Sequence, residues 1–516
     1  MNRSKLVVCV IAAAATLIPH VSLRAQGDLS PPGAPTPTMK SLQQVEPRTV
    51  INKLPGDVSA VVIIKGPGSY YLTSDLAGTP GKDTIRIVSA GRVTVDLNGF
   101  ALTNTGADRS AFVTAAANDG VLIRNGTIQA EGGTTTRAIS GDGNRVVCED
   151  LAIVGSSGAD LVALSADSIV RRCRVAEGGI KLGDRSSVVD SLVAATTNAS
   201  ITVGDDGSVS GVKFTTNRAA LTVGKRGLIT DCQVNAGGGP TLFGLGGNVV
   251  QTGSASVVRR CTVSAGIVAG NAIGVGPGSL VEGCRVLSAF REGILSNGAD
   301  DVTVVDSSVQ GNGRRGIVLG SNARVRDCVV NGSGGDGIAV EENSLVTGCT
   351  ISGVGGAGAG GSGIISTFEN VAVSRCVVRG TAGGPGISIV NGSVTDCDVS
   401  GTTGGAGIQV TRTSRVERNR STENGTTSPA NPQDGLKVIG ANNRVEGNHL
   451  VNNAGIGLEI TSTGAINSNT GNLVIGNHAR GNSAGQFSFS SGNATGPVLT
   501  SSQVATTTIP TANFGP

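Results

Sequence analysis

The sequence predicts an all-β chain, a single-stranded right-handed parallel β-helix with a capping segment at each end. Three observations carry this. The 516 residues include 80 Gly but only 11 aromatic residues and no Trp, too little aromatic bulk for one globular core of this length. A phrase of the form apolar, any, turn residue, Cys, any, apolar recurs along the chain. It reads Val170-Arg171-Arg172-Cys173-Arg174-Val175, then Ile229-Thr230-Asp231-Cys232-Gln233-Val234. A second phrase, Gly followed by alternating apolar residues, falls between its copies, as in Gly337-Ile338-Ala339-Val340 and Gly407-Ile408-Gln409-Val410. Its period of two marks short strands with one buried face.

The elements follow in order. In residues 1–25, Arg3 and Lys5 precede an apolar run from Leu6 to Ile18 that Pro19 breaks, the form of a secretory signal. The run is too short to span a bilayer, and no later segment is apolar for the needed ~20 residues. Residues 26–38 form a linker rich in Pro, residues 39–83 an N-terminal cap, 84–495 the β-helix, and 496–516 a C-terminal cap or tail. Within the helix the Cys position returns at Cys261, Cys284, Cys328, Cys349, Cys376 and Cys397. Ser191, Val212 and Ser307 fill it in intervening copies, and Asn419, Asn448 and Asn477 take it over beyond Cys397. The steps run from 18 to 29 residues, room for three short strands and three turns, which is one coil. Equivalent residues of successive coils then stack ~4.8 Å apart. That spacing exceeds the ~3.8 Å between the Cβ atoms of a disulfide, so the ladder cysteines are expected as buried free thiols. A leucine-rich repeat would need Leu-x-x-Leu-x-Leu around the ladder position and a helical half, and neither is present.

Charge excludes one class of partner. The chain has 40 Lys and Arg against 37 Asp and Glu. Loss of Arg3, Lys5 and Arg24 with a signal leaves 37 of each, so no field for nucleic acid is implied.

The phrases Gly66-Pro67-Gly68-Ser69-Tyr70-Tyr71-Leu72-Thr73 and Val93-Thr94-Val95-Asp96-Leu97-Asn98-Gly99-Phe100, with the closing Ala512-Asn513-Phe514, resemble the cap and first coils of exported bacterial right-handed β-helix repeat proteins of the pectin-lyase-like class. The resemblance covers most of residues 39–516. It implies the fold, export, and either a scaffold without chemistry or an enzyme acting on polysaccharide.

Chemistry-bearing residues are sparse. The outward positions of the Gly-Ile-x-Val strands, from Lys181 through Val318, Ala339, Ile365, Ser388, Gln409 and Lys437 to Glu459, place no two carboxylates on neighbouring coils. Glu292, Arg315 and Asp336 each precede the Gly of consecutive coils and should stack as acid, base, acid, either a carboxylate pair spanned by a cation or a surface ladder. Asp300-Asp301 and Glu341-Glu342 lie in turns two coils apart; clustered, such carboxylates bind calcium, and unclustered they are solvated turns. His449 and His478 follow the ladder asparagines one coil apart. No other cofactor motif is present. The sequence reads as an exported, secreted or surface-held, non-catalytic scaffold that binds surface glycans or a protein partner. The alternative is a polysaccharide lyase or glycoside hydrolase with a divergent site.

Overall fold

A computed structural model describes residues 48–515 apart from 105–108, 115–119, 132–135, 144, 238–246, 267–269, 297, 357–359, 426–431, 463–467 and 505–507. The expected signal (1–25), the linker (26–38) and the first part of the expected cap lie outside the described residues.

Each coil supplies three short strands that pair in parallel with their counterparts one coil on. In one coil these are Ile338–Val340, Leu345–Thr347 and Thr350–Ser352, with Ile338 opposite Ile364, Val346 opposite Val373 and Ile351 opposite Val378. About 17 such turns make a right-handed parallel β-helix that is almost wholly β. Among the described residues the helical segments are one 3-10 turn at Ile51–Lys53 and one α-turn at Ser501–Val504. Strands within 49–77 already pair in parallel with the coils that follow, as Tyr70 does with Val95.

The core is a set of stacked columns. One runs from Ile123 and Cys148 through Val170, Val188, Val209 and Ile229 on to Val474, in register and fully buried. The narrow coil is filled mostly by Val and Ile, with Leu, Ala and Cys among them and large rings fully buried at Phe112 and Phe214. The recurrent Gly answers to the same narrowness. A Cβ at Gly316 would stand 2.4 Å from Val330 Cγ1 and 2.5 Å from the Gly337 carbonyl, so only a bare backbone passes that bend.

Immediately before each ladder position the chain turns through a left-handed residue. Asp150, Arg172, Asp190, Asp231, Arg260, Asp396 and Arg418 all have φ between 45° and 57°, and Gly takes the place in other coils. Left-handed backbone is costly for Arg, yet Arg172, Arg260 and Arg418 each sit one coil beyond a left-handed Asp. Their Nε atoms lie 2.8, 2.7 and 2.8 Å from Asp150, Asp231 and Asp396. A second left-handed corner repeats the device with Asp167–Arg185 and Asp206–Arg226 at 2.8 and 2.6 Å. These pairs are exposed and add little stability singly; what they supply is a matching of side chains from coil to coil.

The residue after that corner points inward, and its role changes along the chain. Cys173, Cys232, Cys261, Cys284, Cys328, Cys349, Cys376 and Cys397 are buried and unpaired, as is Cys148 on a neighbouring column. Each ladder Sγ lies 3.2–3.5 Å from the carbonyl two residues earlier. Burial pushes the Cys148 thiol well above its ordinary pKa and the Cys173 thiol up to about 11, so both stay protonated. From Asn419 onward an amide ladder replaces the thiols. The Asn448 side-chain oxygen accepts from the Asn419 backbone N–H at 3.0 Å and from its side chain at 3.0 Å, while Asn448 Nδ2 donates to the Val416 carbonyl at 3.0 Å and to Asn477 Oδ1 at 2.9 Å. Asn513 ends the column by accepting from both nitrogens of Asn477. Two further amide ladders, Asn424–Asn453–Asn482 and Asn443–Asn472–Asn493, run beside it; the sequence reading found only the first.

Two outcomes follow. Alkylation of the native protein should leave the nine described cysteines, Cys148 to Cys397, unmodified, and denaturation without reductant should expose all nine of them; a shortfall restored only by reductant would reveal disulfides. Asn448→Ala removes the acceptor of two buried Asn419 donors and the donor to Asn477 Oδ1 and the Val416 carbonyl, and a loss of about 1–3 kcal/mol is expected in urea unfolding; a change within error would mean water replaces the amide.

Candidate functional site

The register that stacks the core also aligns the outer face of the Gly-Ile-x-Val strands. One outward column runs Lys181, Thr202, Thr222, Gln251, Gly274, Leu295, Val318, Ala339, Ile365, Ser388, Gln409, Lys437, Glu459 and Ser488 without a break. It is polar toward both ends and apolar across four consecutive coils, from Leu295 to Ile365. These four side chains are partly exposed. An outward apolar run on a solvated sheet face is the kind of feature that marks a contact surface.

Beside this window lies a cleft of about 270 Å³, lined by Arg315, Asp336, Val318, Ala339, Glu341, Ile365 and Phe368 among others. Two constellations that the sequence reading kept apart meet here. Arg315 and Asp336 come from the bend before the strand, Glu341 from the turn after it, and Phe368 from the corresponding turn one coil on, where Asn343 N–H bonds to the Glu369 carbonyl. Phe368 is 45% exposed, an unusual placement in a chain with so few aromatic residues.

The expected acid–base–acid stack is present in register: Gly293 N–H bonds to the Arg315 carbonyl and Gly316 N–H to the Asp336 carbonyl. Its charges are not shared evenly. Glu292 is 3% exposed and takes Arg315 at 3.5 Å and Arg291 at 3.6 Å. Asp336 instead accepts the Ser362 backbone N–H at 2.8 Å. Burial pushes the Asp336 carboxyl above its ordinary 3.8, against the opposing pull of that bond and of Arg315.

The other candidates are not brought together. Asp301 occupies the second left-handed corner, φ 60°, in line with Asn322 and Asn343. Asp300 accepts the Ser321 N–H at 3.2 Å, and Glu342 stands on the same turn one coil beyond Ser321, whose neighbour Asn322 donates to the Glu342 carbonyl. Two coil spacings, roughly 10 Å, separate the acid pairs, too far to share one calcium ion with oxygen ligands at ~2.4 Å. Among the described residues no three His, Cys, Asp or Glu side chains converge as a metal site. His449 and His478 stack edge to face at 4.8 Å between ring centres on another face of the coil.

One group was missed by the sequence reading. Asp434, in the same column as Asp336, lies 3.6 Å from Lys437 Nζ, which lies 2.6 Å from Glu459 of the next coil. Neighbouring coils therefore do carry two carboxylates, held by one ammonium. Burial raises the Asp434 carboxyl, and the charge of Glu459 adds to the rise. The signal is the residue before each Gly, which the sequence reading takes up at Glu292, Arg315 and Asp336 and not at Asp434.

Comparison with known proteins places the fold. The family model described as right handed beta helix region matches residues 199–345 and 336–496. The chain belongs to this right-handed β-helix family. No curated protein matches it. Among solved structures, the periplasmic alginate epimerase AlgG is similar at 11% identity over 67% of this chain and 75% of that one, TM-score 0.30. The catalytic domain of a GH87 α-1,3-glucanase is similar at 15% identity over 54% and 61%, TM-score 0.25. The Dettilon tailspike protein is similar at 14% identity over 84% and 62%, TM-score 0.23. Likenesses this distant carry no argument about the site of this β-helix. Among the described residues no helix is long and apolar enough to cross a membrane.

The raised carboxyl gives a signed prediction. Native Asp336 holds its proton to higher pH than the unfolded chain does, so its contribution to stability falls as pH rises from 3.8 through the raised native value. Asp336→Asn should therefore flatten the pH dependence over that window and raise the urea midpoint at pH 7 relative to wild type. Identical pH profiles for the two proteins would contradict the burial of this group.

Proposed function

We propose that this β-helix protein is an exported, non-catalytic scaffold that binds a glycan in the cleft at Phe368, Asp336 and Arg315. The observation that carries the reading is the exposed Phe368 ring beside an outward apolar window, edged by a carboxyl and a guanidinium. Sugar rings present apolar C–H faces and a rim of hydroxyls, and this lining offers a surface for the first and hydrogen-bonding groups for the second. The fold supports the reading by holding these groups on the bends and turns of stacked coils, next to the paired strands.

The arrangement favours binding over hydrolysis. Asp336 and Glu341 are the two carboxyl groups lining the cleft, and they stand before and after one strand, Ile338–Val340, instead of side by side on neighbouring coils. A hydrolytic pair flanks one bond at ~5–9.5 Å. Glu292, which would complete a closer pair, is buried against two arginines. One observation speaks for hydrolysis: the raised Asp336 carboxyl, a property that a general acid requires.

A panel of polysaccharides read for both retention and new reducing ends tests this. Binding of at least one glycan without cleavage is expected, with Phe368→Ala weakening it at least about tenfold while the β-rich circular dichroism is unchanged. Cleavage that Asp336→Asn abolishes would establish the hydrolase. Binding indifferent to Phe368→Ala would move the site elsewhere.

A further inference from the structure

We infer that the glycan taken by this cleft is neutral, and that Glu292 contributes to this selectivity by offsetting the charge of Arg315. This rests on the glycan-binding reading above and adds the substrate class.

The argument is a charge inventory along the path a chain would follow. Arg315 is the one cation lining the cleft, and its guanidinium is held 3.5 Å from Glu292, whose side chain is 4% exposed. Arg291 lies 3.6 Å from the same carboxylate, and Arg314, on the same turn, is exposed and outside the lining. Asp336 and Glu341 face the cleft with the opposite sign. An acidic polysaccharide brings one negative charge with each sugar and needs a cation to meet it; here its carboxylates would meet one guanidinium whose charge is partly offset by Glu292 and two carboxyl groups. Like charges in so confined a space are repelled, and the repulsion selects against such a partner.

The path beyond the cleft has the same character. The next outward positions, Ser388 and Gln409, are uncharged hydrogen-bonding groups in register with Ile365. The following cation, Lys437, is held by Glu459 at 2.6 Å and by Asp434 at 3.6 Å. In the other direction lie Gly274 and Gln251. Over these coils every cation of the outward column is matched inside the protein, so the face presents hydroxyl-type hydrogen bonding and apolar surface, the chemistry of an uncharged sugar chain.

The test compares a neutral glucan oligosaccharide series with oligouronates of matched length, by calorimetry at low and at physiological salt. At low salt the neutral ligand is expected to bind at least about tenfold more tightly, and added salt should narrow the gap by screening the repulsion of the oligouronate. Lowering the pH toward the range where Asp336 is protonated should narrow it too, since the Asp336 carboxyl then repels less, with Arg315, Arg291, Glu292 and Glu341 as the other charged groups near it. Glu292→Gln should free Arg315 and raise oligouronate affinity several-fold while leaving the neutral ligand unchanged. Should that variant fail to fold, the salt dependence of the wild type still decides the question. Tighter binding of the oligouronate would overturn the inference and leave glycan binding intact. Binding of neither class would overturn the glycan reading itself. A folded Glu292→Gln variant with unaltered oligouronate affinity would overturn the role of Glu292.

Discussion

The parallel hydrogen-bonded register between one coil and the next is the constraint on which the rest of this molecule depends. Because each strand pairs with its equivalent one turn later, a residue type placed once is placed beside its own kind repeatedly, at the ~4.8 Å spacing of neighbouring strands. Core valines become columns, corner residues become rows, and any side chain on the outer face acquires neighbours above and below. The corners are the demanding positions. Each needs a left-handed residue, and the corner before the ladder position uses Gly, Asp or Arg, the Arg stacking on the Asp of the preceding coil in three of the corners described.

Just inside the corner the backbone must turn within the core, where an N–H without a partner is costly. The inward residue settles this differently in the two halves. In the middle coils a small thiol fills the space, its sulfur facing the N–H of the preceding ladder residue, as Cys261 faces Cys232, while its S–H donates to a carbonyl of its own corner. In the final coils Asn accepts the preceding N–H and donates onward, so the ladder becomes one continuous chain of amides. Three such ladders converge on the last coils, beside the edge that has no further coil to pair with. Asn513, from the closing segment, supplies the last acceptor of the first ladder, and Phe514 pairs with His478. The terminal segment thus continues the polar ladder of the core while covering a sheet edge that would otherwise expose its hydrogen-bonding groups.

The same stacking that builds the core also composes the cleft. No single coil holds more than part of it: Arg315, Asp336 and Phe368 come from three consecutive coils. The buried Glu292, one coil earlier, decides how much of the Arg315 charge is available to a ligand. A surface assembled this way changes its character when one coil changes, as the outward column shows in passing from Thr222 and Gln251 to Val318 and Ile365 and back to Ser388.

The sequence by itself determined the fold, the ladder and the outward column. A period-two strand, a left-handed corner residue and an inward Cys or Asn are each local, and the repeat multiplies a weak local signal into a firm one. It also named Glu292, Arg315 and Asp336 as a stack, because equal spacing from a Gly is readable without coordinates. Only the tertiary structure decided how the stack divides its charges, with Glu292 buried against two arginines and Asp336 turned to the Ser362 N–H. Only the structure joined Glu341 and Phe368 to that stack, because turn length varies from coil to coil and residues of different turns meet only once the coils are wound. It likewise revealed Asp434 and Glu459 around Lys437, which lie 25 residues apart in the chain yet meet across one coil spacing. Side-chain direction and burial at a bend depend on the coil above and the coil below, and a pattern read along one strand contains neither.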